Sequence, residues 1–174
     1  MLRAPPGAAT RPTSEKVREA MFNILSNRLG SLEGALVLDL FAGSGALGIE
    51  ALSRGAARAT FVDAGKPALA ALRRNLDELG LASRADVIAG DAVVHAARIA
   101  PPSPWRLVFV DPPYKSDLAV RAVLAIPPAN LAPGASIVIE HDKHGTPPET
   151  LGSLLRTDQR RYGDTMVSFF EVPE

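Results

Sequence analysis

The chain has 174 residues, a length that suits one domain able to bury roughly 70% of the surface its unfolded form exposes. Hydrophobic residues at 47% and charged residues at 22% fit a globular protein, no run of about 18 apolar residues marks a membrane span, and Met1-Leu2-Arg3-Ala4-Pro5-Pro6 lacks the apolar stretch of a secretory signal. Disulfides and thiolate metal sites are excluded because there is no cysteine, which suits a cytoplasmic location, and 19 basic against 19 acidic residues leave no net charge to attract a polyanion.

Distribution matters more than the sum. Arg3, Arg11, Lys16 and Arg18 crowd the start, and Arg156, Arg160 and Arg161 crowd the end. Residues 1–12 are rich in Pro, Gly and Ala and read as an irregular arm; residues 13–174 read as a single domain. Thr13 or Ser14 is placed to cap a helix whose apolar face carries Val17, Ala20, Met21, Ile24 and Leu25.

From there strands and helices alternate. Residues 35–40 form an apolar strand, 46–54 a helix ended by Gly55, and 59–62 a second strand. Residues 67–79 put Leu69, Leu72, Leu76 and Leu79 on one helical face, ended by Gly80. A strand at 86–89, a helix at 92–100, a strand at 107–110, a helix at 118–126 and a strand at 136–140 follow. Strands apolar on both faces, alternating with helices, imply an α/β fold with a parallel sheet between helical layers. The tail differs: residues 154–161 and 165–172 flank Tyr162-Gly163-Asp164 and read as an antiparallel hairpin. The expected architecture is a Rossmann-like, seven-stranded sheet, parallel with a C-terminal antiparallel hairpin.

The stretch Asp39-Leu40-Phe41-Ala42-Gly43-Ser44-Gly45-Ala46-Leu47-Gly48 leaves the first strand and opens a helix. Its Gly43, Gly45 and Gly48 give G-x-G-x-x-G, which permits a tight turn and close approach of a ligand to the backbone. Asp63 ends the second strand, where a carboxylate accepts from two ribose hydroxyls, each such bond contributing roughly 1.5–3 kcal/mol. These features alone fit a nicotinamide dinucleotide as well as S-adenosylmethionine. Asp39 tips the balance, since a carboxylate at the strand end crowds a pyrophosphate and suits an amino group and a sulfonium. Asp91, after the third strand, is either an acceptor for an adenine amino group or a helix cap.

Asp111-Pro112-Pro113-Tyr114 follows the fourth strand, which neighbours the first in doubly wound order. An exocyclic amino group on a nucleobase delocalises its lone pair into the ring and is a poor nucleophile. Asp111 and the Pro112 carbonyl can accept its hydrogens, draw the nitrogen towards tetrahedral geometry, and stabilise the positive charge that develops. Pro112 and Pro113 fix φ and stiffen the turn. Tyr114 offers a face for an extruded base, worth about 1–3 kcal/mol of stacking. Pro pairs recur elsewhere in this chain, so the weight falls on the Asp before the pair, the aromatic after it and the buried strand leading in.

At these residues the sequence resembles the RsmD family, which methylates guanine N2 in bacterial small-subunit (16S) ribosomal RNA. The matching stretches are Thr10-Arg11-Pro12-Thr13-Ser14-Glu15-Lys16-Val17-Arg18-Glu19, Met21-Phe22-Asn23, the glycine loop, the Asp-Pro-Pro-Tyr turn and Tyr162-Gly163-Asp164-Thr165. The first is the specific part, the other motifs being shared across many amino-methylating enzymes. The resemblance implies S-adenosylmethionine as cofactor, with Asp39, Gly43 and Gly45 along its methionine part, Asp63 at its ribose and Asp91 at its adenine. It makes Asp111 to Tyr114 the catalytic residues and Arg11 and Arg18 candidate contacts to rRNA. A monomer acting on a small-subunit particle, without metal or membrane, is expected. Many relatives carry Glu where Asp63 stands. Relatives also begin with a basic hairpin before the Thr-Arg-Pro-Thr segment, whereas almost nothing precedes Pro5, so either a truncated start or a different mode of docking is expected.

Other readings stay open. Adenine-N6 methylation of DNA or RNA would use the same four-residue turn. Glutamine methylation of a protein goes with Asn where Asp111 stands. A nicotinamide-dependent oxidoreductase would need an acid or base from among His95, His141 and His144, of which His95 reads as structural and His141 follows the fifth strand. A non-catalytic nucleotide-binding module is the remaining class.

Overall fold

The structure is a computed structural model that describes residue 2, residues 15–113 and residues 117–174. The expected cap at Thr13 or Ser14, Arg11, Tyr114, and all of the N-terminal arm but Leu2 lie outside the described residues. Helix α1 is Glu15–Leu29. Five strands alternating with four helices follow: β1 Leu36–Leu40, α2 Ala46–Ser53, β2 Arg58–Asp63, α3 Lys66–Glu78, β3 Ala85–Ala89, α4 Ala92–Arg98, β4 Trp105–Val110, α5 Leu118–Ala125 and β5 Leu131–Asp142. The chain ends with β6 Thr150–Leu151, β7 Leu154–Tyr162 and β8 Thr165–Glu171.

The sheet runs in the order β3-β2-β1-β4-β5-β8-β7-β6. Strands β1 to β5 are parallel, while β8, β7 and β6 are antiparallel to their neighbours. The seven expected strands are all present, and β6 adds a two-residue eighth at the edge of β7. So short a strand has no periodicity to read; pairing with Leu154 and Leu155 defines it. Strand β5 starts five residues earlier than expected. It runs through Pro133 and Gly134, where Gly134 (φ +72°) donates its N–H to Val172 O at 3.1 Å and the β4–β5 register shifts.

Alternation along the strands sorts side chains into two cores. One layer packs Met21, Phe22 and Leu25 of α1, Leu47 and Leu52 of α2 and Leu72 of α3 against Val37, Phe61, Phe109 and Val138. Phe22 and Phe109 meet at 5.6 Å between ring centroids. The other layer packs Ala92 and Ala96 of α4 and Ala122 and Val123 of α5 against Leu38, Val62, Val110 and Ile139.

Helix α1 runs antiparallel to the strands. Its last turn meets their N-terminal edge, where Arg106 donates to Leu29 O at 2.5 Å and Arg28 to Glu171 at 3.0 Å. Near its other end Arg18 faces Glu50, one turn into α2, at 3.9 Å. Helix α2 begins where the glycine loop ends, so the start of α1 also lies towards the C-terminal edge of the sheet.

Candidate active site

Strands β1, β2 and β4 deliver three carboxylates to that edge. Asp39 pairs in register with Phe61, two residues before Asp63, and with Phe109, two residues before Asp111. Phe61 and Phe109 belong to the layer packed by α1 to α3, so a period of two puts all three acids on that face. The N–H of Asp111 donates to Leu40 O at 3.4 Å, which carries the β1–β4 pairing into the Asp-Pro-Pro turn. The turn thus sits beside the glycine loop, as the sequence predicts.

Asp39 is 1% exposed. Its Oδ2 accepts from the Gly48 N–H at 3.0 Å, and no donor reaches Oδ1 among the described residues. Burial pushes its carboxyl up to about 8, against the pull of the Gly48 hydrogen bond and with a smaller push from Asp63. The glycines explain how so buried an acid fits. A Cβ at Gly48 would stand 2.4 Å from Phe61 Cε1 and 3.1 Å from Asp39 Oδ2; one at Gly45 (φ +87°) would stand 2.3 Å from Leu72 Cδ1. Gly43 (φ +57°) differs: nothing lies within 4 Å of where its Cβ would be, which leaves room above its backbone.

Asp63 organises that loop before any ligand arrives. Its Oδ2 accepts from the Gly43 N–H at 2.9 Å and its Oδ1 from the Gly65 N–H at 2.8 Å. Each oxygen keeps lone-pair capacity for a second donor. Ala42 donates to Val62 O at 3.0 Å, and Asn75 of α3, 2% exposed, donates to Ser44 O at 3.0 Å. Phe41, between Asp39 and the glycines, holds φ +60°, a conformation that strains a non-glycine residue. Sequence reasoning missed Asn75 and Phe41. An Asn among the apolar positions of α3 was the available signal for the first; nothing signalled the second.

Asp91 caps α4, its Oδ1 accepting from the Val94 N–H at 2.9 Å. The residue is exposed, so capping does not enclose its carboxylate. Gly90 before it is dictated by His95, whose Nε2 lies 2.3 Å from where a Cβ would be. Arg18 is paired with Glu50 across α1 and α2, leaving a guanidinium that is only partly exposed. Pro112 is half-buried and Pro113 exposed. No group of three or more metal-ligating side chains occurs among the described residues.

The family model described as "Conserved hypothetical protein 95" matches residues 1–171. The chain is 40% identical over 174 residues to a Bacillus subtilis protein named "Putative rRNA methyltransferase YlbH", covering 98% of this chain and 92% of that one. It is 37% identical over 135 residues to "Ribosomal RNA small subunit methyltransferase D" of Haemophilus influenzae, covering 76% and 68%. Among solved structures, "Putative methyltransferase yhhF from Escherichia coli" superposes with a TM-score of 0.84 at 30% identity, covering 99% of this chain and 92% of that one.

Proposed function

The chain belongs to the family described as Conserved hypothetical protein 95, and from that premise we propose that it is an S-adenosylmethionine-dependent methyltransferase acting on the exocyclic N2 amino group of a guanine in 16S ribosomal RNA. One observation carries the reading. Asp39, Asp63 and Asp111 rise from β1, β2 and β4 on one face, so a cofactor crevice and an Asp-Pro-Pro turn adjoin. The donor set fits this cofactor. A buried carboxyl with one oxygen that meets no donor among the described residues suits a cationic amino group and sulfonium, which favour its ionised form.

S-adenosylmethionine, when bound, supplies an electrophilic methyl group on sulfur. The chain's own part is to hold and to aim. Asp63 accepts from the ribose hydroxyls while keeping the Gly43 and Gly65 N–H groups paired. Asp39 faces the methionine end, and Asp91, besides capping α4, accepts from the adenine amino group. Asp111 and the Pro112 carbonyl accept the two hydrogens of the target amine, which lifts its lone pair out of conjugation and stabilises the positive charge that develops on nitrogen. Tyr114 stacks on the extruded guanine. Arg11 and Arg18 contact rRNA, Arg18 exchanging its pairing with Glu50 for phosphate.

The enzyme works as a monomer in the cytoplasm on rRNA within a small-subunit particle. No described helix is long and apolar enough to cross a membrane. A tritiated-methyl assay on unmodified 30S particles, naked rRNA and DNA, followed by nucleoside analysis, tests the reading. N2-methylguanosine from the particle is the expected product; N6-methyladenosine overturns the choice of base.

A further inference from the structure

A cavity of about 490 Å³ adjoins the catalytic turn, lined by Pro112, Pro113, Val120, Ile139 and His141, with the exposed Lys143 at its edge. The acids Glu140, Asp142 and Asp164 line it as well. It opens on the face packed by α4 and α5, to which Ile139 and Val120 belong. Asp39, Asp63 and Asp111 lie on the opposite face. The cavity therefore shares the two prolines with the reaction centre, and none of those three carboxylates lines it. An occupant would be continuous with the acceptor base rather than the acceptor itself.

His141 defines what that occupant is. Its Nδ1 lies 2.7 Å from the Asp142 carbonyl oxygen, which only accepts, so Nδ1 carries the proton. Nε2 must then accept, and the Ser168 hydroxyl donates to it at 2.7 Å. Gln159 donates to the same hydroxyl oxygen at 2.9 Å. Burial keeps the imidazole below its ordinary pKa and so neutral near pH 7. Both ring nitrogens are spent and the ring is fixed in place. It offers neither acid, base nor metal ligand, only a flat face beside Pro112, Pro113, Val120 and Ile139, against which a nucleobase can stack.

The charges nearby single out Lys143. Arg156 donates to Pro147 O at 3.0 Å and faces Glu149 at 3.5 Å, Arg160 pairs with Asp158, and Arg161 donates to Gly163 O. Of the acids lining the cavity, Glu140 is buried and Asp142 accepts from the His144 and Gly145 N–H groups at 2.7 and 2.8 Å, while Lys143 has no ion-pair partner among the described residues. We propose that this cavity is a second nucleotide subsite, in which the base adjoining the methylated guanine stacks on His141 while Lys143 meets its phosphate. The inference rests on the RNA methyltransferase reading and extends it to a site beyond the acceptor.

The test is steady-state methylation of RNA, with binding of a short fluorescein-labelled single-stranded oligoribonucleotide followed by anisotropy across salt concentrations. His141→Ala should raise KM for RNA about tenfold, and His141→Phe, which keeps a ring, should restore most of the loss. Lys143→Ala should reduce the slope of log affinity against log salt by about 0.7. Val120→Trp, which fills the cavity, should raise KM for RNA and leave calorimetric affinity for S-adenosylmethionine unchanged. An active wild type whose His141→Ala and Val120→Trp variants keep the wild-type KM overturns the subsite alone, as does a His141→Phe no better than His141→Ala. A wild type that binds S-adenosylmethionine and methylates no RNA overturns the function reading and this subsite together.

Discussion

Asp39→Asn keeps the shape of a side chain that is 1% exposed, and an amide oxygen can still accept the Gly48 N–H. What it removes is a proton equilibrium. The folded chain holds the Asp39 carboxyl up to about 8, against 3.8 for an ordinary aspartate, chiefly by desolvation. Between those two values the folded state binds a proton that the unfolded state has lost. The stability contributed is therefore fully present below the lower value and is lost as pH rises through the upper one, at about 1.4 kcal/mol per pH unit. From pH 5 to pH 7 wild type should lose about 3 kcal/mol relative to Asp39→Asn. Urea denaturation of both proteins at pH 5, 6 and 7 reads that difference directly. The ligand side has the opposite sign. A cationic cofactor favours the carboxylate, so binding at pH 7 should expel about nine-tenths of a proton, measurable by calorimetry in buffers of differing ionisation enthalpy. The Asn variant should expel none and bind roughly 10- to 150-fold more weakly, the loss of one charge-assisted bond. Parallel stability profiles for the two proteins, together with proton-free binding by wild type, would refute the reasoning.

Gly48→Ala pushes a methyl group to 2.4 Å from Phe61 Cε1 and should cost about 1–3 kcal/mol, read as a lowered Tm. Asp63→Ala strips the acceptor from the Gly43 and Gly65 N–H groups and should weaken S-adenosylmethionine binding; unchanged calorimetric affinity refutes the ribose role. Asp111→Ala should lower turnover by roughly 10²–10⁴ with cofactor binding largely kept, and near-wild-type methylation sinks the catalytic assignment. Ser136 is fully buried and its hydroxyl has no hydrogen-bond partner among the described residues, so Ser136→Ala should hold or raise stability by about 1 kcal/mol in chemical denaturation.

What the sequence discloses is whatever repeats with a period or sits at a strand end. The five parallel strands are apolar on both faces, so their order of appearance and their helical covering follow from pattern alone. Asp39, Asp63 and Asp111 are legible because each ends such a run, and register then sets them on one face. Contacts distant in sequence are not legible. That Gly48 is shaped by Phe61 and Asp39, or Gly90 by His95, requires the fold first. Strand β5 hides its first five residues because Pro133 and Gly134 interrupt the apolar pattern, whereas Leu131 pairs with Trp105 before the register shifts and Gly134 donates to Val172 O. Asp91 is ambiguous from sequence because one carboxylate has two oxygens: one caps α4, and the exposure of the residue permits another use. His141, expected just after the fifth strand, lies inside β5 because pairing with Met166 extends the strand to Asp142, and only the Asp142 carbonyl and Ser168 contacts fix its tautomer.

The antiparallel course of α1 turns its first residue into an anchor point. With a rise of about 1.5 Å per residue, a 15-residue helix bridges most of the sheet's width along the strands and begins where the crevice opens. A flexible segment grafted ahead of Glu15 would explore a small volume around the reaction edge, at an effective concentration on the order of millimolar. Such a graft need not fold onto the enzyme to alter it. A basic peptide tethered there would raise RNA affinity through avidity, and an acidic one would act as a competing polyanion. The helix thereby makes the entrance to the crevice adjustable from outside the domain, without changing a residue of the sheet.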